Sequence, residues 1–298
     1  MNLKDFKYLV ALADTGHFGK AAAKTFVSQP TLSAQLKKLE EYLGVQLVER
    51  RPKQVQLTDI GKQVVARARR ILDESNEIVA LARNSADPLA GKLKIALIPT
   101  IGPYLLPRVV KRIRKALPDL GLMLYEHQTE PLLELLRDGK IDLGIMALPA
   151  PSDGLESRDL YRECFMVALP GNHALAAKAA IKAQDLRGQT LLLLDDGHCL
   201  REQALEVCNR VGAHEADDFR ATSLETLRQM VVAGLGITLL PELAVDAPFG
   251  AQRGLTVRRF HKPAPTRRVG AVWRKSTTRS AAIQALCNVI AQTIGEIG

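Results

Sequence analysis

Leu3, Phe6, Val10 and Ala13 recur at helical spacing, which predicts an amphipathic helix at the start of the chain. An Ala-rich segment, Phe18 to Phe26, follows, and its small residues Ala21, Ala22 and Ala23 allow close helix–helix approach. Ser28 is placed to N-cap a third helix, with Pro30 tolerated in its first turn. Leu32, Leu36, Leu39 and Leu43 form the inward stripe of that helix, and Gly44 stops it. Leu47–Arg51 and Val55–Leu57 read as two short strands around Pro52-Lys53. Thr58 then caps a long helix running to about Ser85. On it Val64, Ile71 and Ile78 repeat every seven residues, as do Val65, Leu72 and Val79, and Ala68, Ser75 and Ala82. Three heptads with one apolar stripe predict pairing with a second copy.

Asp87-Pro88-Leu89-Ala90-Gly91 punctuates the chain as a linker. Beyond it the period alternates between strand and helix. Leu93–Ile98, Leu122–Glu126 and Asp142–Met146 read as strands, with helices at Tyr104–Leu117 and Glu130–Arg137 between them. This βαβαβ order predicts a parallel sheet. A second series has strands at Phe165–Leu169, Leu191–Leu194 and Ile237–Leu240, and helices near Leu200–Val207 and Ser223–Ala233. Thr222 and Glu225 read as a capping box for the latter helix. Val269–Trp273 and Ala281–Ile294 predict a last strand and a closing helix. The fold class is therefore α/β, with two lobes and a cleft beyond the strand ends, where Thr100 and Thr129 fall.

Charge changes this picture. The 298 residues carry +9, but residues 1–70 alone hold 13 Lys+Arg against 6 Asp+Glu, a net of +7, which leaves +2 for the other 228. A basic head on a nearly neutral body points to a polyanion. In the third helix Gln29 and Thr31 lie at the exposed N-terminal turn, and Pro30, Ser33 and Lys37 face away from the leucine stripe. Gln, Ser and Thr pair with base edges and Lys with phosphate, so this helix reads as a recognition helix for double-stranded DNA. Arg50, Arg51 and Lys53 form a basic wing. The alternative is a small helical domain that binds protein.

Composition is that of a globular protein, 47% apolar and 24% charged. No apolar run approaches the roughly 18 residues of a membrane span, and Tyr8–Ala13 is too short for a signal sequence, so the expectation is a cytoplasmic protein. There is no phosphate-binding loop, no GxGxxG after a strand, no HExxH and no paired CxxC, and the six histidines are scattered; no metal or cofactor is expected.

The remaining chemistry lies in Leu191–Gln203 and on to Cys208. A strand ends, Gly197 turns the chain, and Cys199 opens a helix whose N-terminus favours thiolate. His198 and Arg201 are candidate cationic neighbours. A thiolate there would be oxidised by peroxide to sulfenic acid, with Cys208 as resolving thiol. Nine helical residues separate the two by roughly 13.5 Å along the axis, whereas a disulfide needs Cα atoms within roughly 7 Å. A bridge would thus unravel the helix and pull Leu200, Ala204 and Val207 out of place. The spacing equally allows a buried Cys208 and an incidental Cys199. Cys164 and Cys287 read as core.

The Ala-rich helix, Ser28-Gln29-Pro30-Thr31-Leu32-Ser33 and Leu57-Thr58-Asp59-Ile60-Gly61 resemble the LysR-type transcriptional regulators over essentially the whole chain. Leu97–Pro107, Gly197–Arg201 through Cys208, and Phe219–Arg228 resemble the peroxide-sensing members of that family. The resemblance implies a winged helix-turn-helix (1–58), a linker and dimerisation helix (59–86) and a regulatory domain (92–298) of two periplasmic-binding-protein-like lobes, 92–162 plus 268–298 and 163–267. It implies Cys199 as peroxidatic and Cys208 as resolving cysteine, and Thr100, Thr129, His198 and Arg201 around a hydrogen peroxide pocket. DNA contacts fall to Gln29, Pro30, Thr31, Ser33, Lys37 and Arg50. It further implies a homotetramer built from dimers, with RNA polymerase as a candidate partner. Glu202 and Asp218 depart from the pattern, which has Asp and His there.

Three competing functions follow. One is a LysR-type regulator answering to a small organic effector between the lobes, with incidental thiols. The second is a thiol peroxidase, in which the +7 head has no role. The third is a passive solute-binding protein, which the basic head argues against. A fragment beginning after the linker, residues 92–298, is expected to keep the thiol chemistry and lose DNA binding. Thiol titration and a DNA mobility-shift assay on that fragment check this.

Overall fold

The computed structural model of the chain describes residues 1–51, 54–84, 87–246 and 252–296. It divides into two compact units, one formed by the first 86 residues with 138–140, the other by the rest.

In the first unit, α1 (Leu3–Thr15) starts at a reciprocal cap. Asn2 Oδ1 accepts from Lys4 N at 2.9 Å, and Asn2 N donates back to Asp5 Oδ2 at 2.7 Å. His17 caps α2 (Phe18–Lys24) with Nδ1 as acceptor, and Ser28 Oγ caps α3 (Gln29–Leu43) by accepting from Thr31 N at 3.3 Å. Gly44 ends α3 at φ +67°, a conformation only glycine adopts without strain. The expected stripe is the core: Leu32, Leu36 and Leu39 pack with Leu9, Leu12, Ala21 and Ala22. Strands β1 (Val48–Arg51) and β2 (Gln54–Leu57) pair antiparallel, Arg50 opposite Val55. Glu40 Oε1 fastens this wing to α3 by accepting from Leu47 N at 2.7 Å and Val48 N at 3.1 Å.

Helix α4 (Asp59–Asn84) begins where Thr58 Oγ1 accepts from Gly61 N at 2.9 Å. Gly61 is required here, because a Cβ would collide with the Leu47 carbonyl. Asp14 ties α1 to both neighbours, accepting from Lys24 Nζ at 2.8 Å and Arg69 Nη2 at 2.6 Å. The wing tip Pro52-Lys53 and the helix end Ser85 lie outside the described residues, as do the side chains of Arg50, Arg51 and Ala82.

The second unit opens with β3 (Gly91–Leu97), α5 (Gly102–Ala116), β4 (Leu120–Glu126), α6 (Thr129–Arg137) and β5 (Leu143–Leu148). The three strands are parallel, with β3 between β4 and β5. Next come β6 (Leu155–Pro170), β7 (Ala180–Ile181), β8 (Thr190–Leu194), α7 (Cys199–Val211), β9 (His214–Ala221) and α8 (Leu224–Val232). The chain finishes with β10 (Thr238–Pro241), α9 (Glu242–Val245), β11 (Leu255–Phe260), β12 (Thr266–Arg274) and α10 (Ser280–Gly295). Strand order in the large sheet is β4-β3-β5-β12-β6-β11-β7, with β10 also on β6; β8 and β9 pair separately and in parallel. The returning strand β12 thus slots between β5 and β6.

Three expectations need correction. Strand β6 begins ten residues before Phe165, and β7, β9 and β11 are additional. In β6 charged residues mask the strand pattern, and neighbours satisfy those charges: Arg158 donates to Gln284 and Asn288, and Arg268 pairs with Asp159. The cap of α8 is Ser223, which accepts from Thr226 N at 3.2 Å, rather than a Thr222–Glu225 box; Glu225 accepts from Gln229 instead. Cys164 is half-buried on β6, not core, whereas Cys287 is fully buried.

Burial alone would raise the Asp14 pKa, but the Lys24 hydrogen bond and the Arg69 charge outweigh it and hold the carboxyl below its ordinary value. Its contribution is therefore present above the unfolded carboxylate pKa near 4 and lost as pH falls through the lower folded value. Asp14→Asn is expected to cost about 1 kcal/mol at neutral pH, scaled down for its partial exposure. Urea unfolding of both proteins at pH 7 and pH 3 checks this, the gap being narrower at pH 3.

Candidate functional site

Cys199 is the first residue of α7, set there by two features of the preceding turn. Gly197 has φ +88°, and a Cβ on it would meet Gln128 Oε1 at 2.8 Å. Gln128 reaches this close because its Nε2 lies 3.1 Å from His198 Nε2. The amide donates, so the imidazole accepts at Nε2 and is neutral. Burial pushes the His198 pKa down, against the opposing charge of Asp195.

Arg201 also departs from its expected role. It is buried, and its guanidinium points away to Asp196 at 3.0 Å and to Glu215, with Nη2 3.0 Å from Glu215 Oε2. Neither expected cationic neighbour supplies a charge to the thiol. That role falls to Arg267 on β12, which sequence spacing did not single out: it lies 68 positions downstream, and only the return of β12 beside β6 brings it here.

Arg267 is 1% exposed and its partner Glu163 4%. Arg267 Nε donates to Glu163 Oε1 at 2.8 Å, Nη1 to Thr100 Oγ1 at 3.1 Å and Nη2 to the Thr100 carbonyl at 2.9 Å. Glu163 Oε2 accepts from Leu243 N at 3.1 Å. Thr100 is thus a guanidinium acceptor in the turn after β3. Thr129 opens α6, and its hydroxyl is buried with no partner of full hydrogen-bond geometry among the described residues. It nevertheless lies near enough to Cys199 to favour the thiolate.

Burial pushes the Cys199 thiol pKa up. Arg267, the Thr129 hydroxyl and the Ala147 backbone oppose this, Glu202 reinforces it, and the balance stays above the ordinary value. The expectation of a thiol lowered by the helix N-terminus is therefore corrected: desolvation wins. Cys199 is a free thiol, and Cys208 lies nine residues on in the same helix. The side chains of Cys208 and Asp218 lie outside the described residues. Leu200 and Ala204 face the core, as expected.

On the first unit, Gln29, Pro30, Thr31 and Lys37 are exposed along α3, and Ser33 is half-buried. Thr31 Oγ1 hydrogen-bonds Ser28 Oγ at 2.7 Å, and Lys37 sits 3.8 Å from Glu41.

The model of the bacterial regulatory helix-turn-helix protein, lysR family, matches residues 3–62, and that of the LysR substrate binding domain matches 86–295. The chain belongs to the LysR family of transcriptional regulators. The DNA-binding transcriptional dual regulator OxyR of Escherichia coli K12 is 43% identical over 290 residues, 97% of this chain and 95% of that protein. The hydrogen peroxide-inducible genes activator of Haemophilus influenzae is 40% identical over 297 residues, 100% of this chain and 98% of its own length. Full-length OxyR from Pseudomonas aeruginosa, solved as a cysteine-to-aspartate variant, superposes with a TM-score of 0.79 at 40% identity, covering 98% of each chain. A cysteine-to-serine variant of Corynebacterium glutamicum OxyR, solved with hydrogen peroxide bound, gives 0.67 at 36%, covering 99% of this chain and 93% of that one. Within its family this regulator thus stands beside the OxyR proteins.

If Arg267 is the cation that the thiol feels, Arg267→Met moves the pH profile of Cys199 alkylation upward by about one unit. Mass-spectrometric quantitation of the Cys199 peptide across pH reads this.

Proposed function

We propose that this regulator senses hydrogen peroxide through Cys199 and switches its DNA binding by forming a Cys199–Cys208 disulfide. The observation that carries the reading is the Thr129 hydroxyl, buried without a partner of full hydrogen-bond geometry among the described residues and close to a free thiol that also feels Arg267. Thr100, Thr129, Arg267 and neutral His198 offer a small molecule both donors and acceptors in a water-poor site. Cys199 thiolate attacks one peroxide oxygen, the O–O bond breaks, and sulfenic acid forms as the other oxygen leaves as hydroxide and takes up a proton to become water. The Cys208 thiol then attacks the sulfenic sulfur, its proton leaving with the hydroxyl as a second water. Two thiols are oxidised and one peroxide is reduced.

The helix gives this step its reach. Nine residues span roughly 13.5 Å in α7, so closing the bridge unwinds it and withdraws Leu200 and Ala204 from the core. One covalent bond is thereby coupled to a packing change.

The division of labour is a DNA reader at 1–58, a pairing helix at 59–86 and a sensor at 92–298, with lobes 92–162 plus 268–298 and 163–267. Gln29, Pro30, Thr31, Ser33, Lys37 and Arg50 meet promoter half-sites. Exposed Ile71, Ile78 and Val79 on α4 support pairing of two copies there, and two such dimers make up the homotetramer of this reading. RNA polymerase is the partner through which bound regulator acts. No described helix is long and apolar enough to cross a membrane, in keeping with work on DNA in the cytoplasm.

Stoichiometric peroxide followed by non-reducing peptide mapping is expected to yield the 199–208 bridge, and Cys199→Ser to leave DNA footprints unmoved by peroxide. No bridge, or an organic metabolite that shifts the footprint while Cys199 stays reduced, overturns the proposal.

A further inference from the structure

Glu163 is a buried carboxylate that none of the steps above uses. Its hydrogen bonds among the described residues go to neither Cys199 nor the neighbouring threonines. Its Oε1 accepts from Arg267 Nε at 2.8 Å and its Oε2 from Leu243 N at 3.1 Å. The two Nη groups of Arg267 are turned by that grip onto Thr100, at 3.1 and 2.9 Å. The guanidinium is thus held by one edge and presented by the other.

We propose that Glu163 is a positioning residue with a second, opposing effect: it aims Arg267 at Thr100 and the Cys199 side of the pocket, and its negative charge offsets part of the guanidinium field there. The sensing thiol therefore carries less thiolate at rest than Arg267 alone would produce. The inference rests on Cys199 being the sensing thiol.

The charges around the pair favour this assignment. A guanidinium keeps its charge throughout the pH range in which thiols titrate. The groups that face it are Glu163 and Tyr161 on β6, Tyr104 on α5, Thr100 after β3 and Cys199 on α7. If Glu163 loses its charge, the guanidinium is left with acids that are neutral at rest. Among them the thiol ionises at the lowest ordinary pKa, near 8.5 against about 10 for tyrosine. Tyr161 is further handicapped, since burial alone raises its pKa. Cys199 is then the group that gains negative charge. Among the described residues, Glu202 on its own helix and the desolvation of the site stand against this; the Thr129 hydroxyl and the Ala147 backbone act in the same direction as Arg267.

The test is the pH dependence of Cys199 alkylation by iodoacetamide in the full-length reduced protein, read on the Cys199 peptide so that Cys164, Cys208 and Cys287 do not contribute. Glu163→Gln keeps the shape and one acceptor and removes the charge. Its profile is expected to move down by about one pH unit, which is about tenfold more thiolate below the pKa. Glu163→Asp keeps the charge but draws it back from the guanidinium, and gives a smaller downward shift; this variant carries the test if the glutamine protein does not fold. Without its guanidinium partner a carboxyl buried this deeply takes up a proton, so in an Arg267→Met background Glu163→Gln is expected to leave the profile unchanged. An unchanged or upward profile in the folded single variants, whatever the melting temperature does, overturns the proposal, as does a full downward shift without Arg267. Alkylation uses no peroxide, so a missing 199–208 bridge with the expected shifts refutes the sensing role alone.

Discussion

A buried ion pair, Arg267 with Glu163, is the constraint around which the sensing unit is arranged. Moving both charges out of water costs several kcal/mol each, and the pair is tolerable only when every donor and acceptor is engaged. Here Nε, Nη1, Nη2 and both carboxylate oxygens all have partners. Those partners come from β12, β6, the turn after β3 and the start of α9, so one satisfied charge pair pins four segments at one point. Breaking such a pair from one side typically costs about 3–5 kcal/mol. The same arrangement leaves one guanidinium edge directed at the pocket, where the thiol and two threonine hydroxyls lie.

The thiol itself sits in a balance of opposed effects. Burial resists its ionisation, and Arg267, Thr129 and the Ala147 backbone promote it. A thiol kept neutral at rest is protected from indiscriminate oxidation, while a ligand that brings its own hydrogen bonds changes the balance locally. Helix α7 adds a mechanical element. It places Cys199 at its first turn and buries Leu200 and Ala204 beneath, so chemistry at its start is opposed by packing along its length.

The first unit follows a different logic. Its core is small, and its shape is set by end groups: Asn2, His17, Ser28 and Thr58 cap four helices, Glu40 fastens the wing and Asp14 joins three helices. With the inner face so fixed, Gln29, Pro30, Thr31 and Lys37 are left on the outside of α3, in the part of the chain that carries seven of the nine net positive charges.

Most of the helices, the parallel βαβαβ segment and the start of the cysteine helix were legible in the sequence, because each is written in local periodicity and caps. Leu32, Leu36 and Leu39 lie on one face whatever surrounds them, and their helix is bounded by local means, the Ser28 side-chain cap at one end and the left-handed Gly44 at the other. Strand β6 was half legible, since its charged stretch has no strand period until β12 supplies Arg267 for Glu163 and Arg268 for Asp159. The identity of the cation beside Cys199 was not legible at all. His198 and Arg201 are its neighbours in the chain, but burial neutralises the first and Glu215 captures the second. Sequence by itself determined the elements, the basic head and the thiol at a helix start, all matters of neighbours within a few residues. Tertiary structure decided which charge that thiol feels, because an electric field depends on distance and burial in space, and Arg267 becomes close only when the chain folds back.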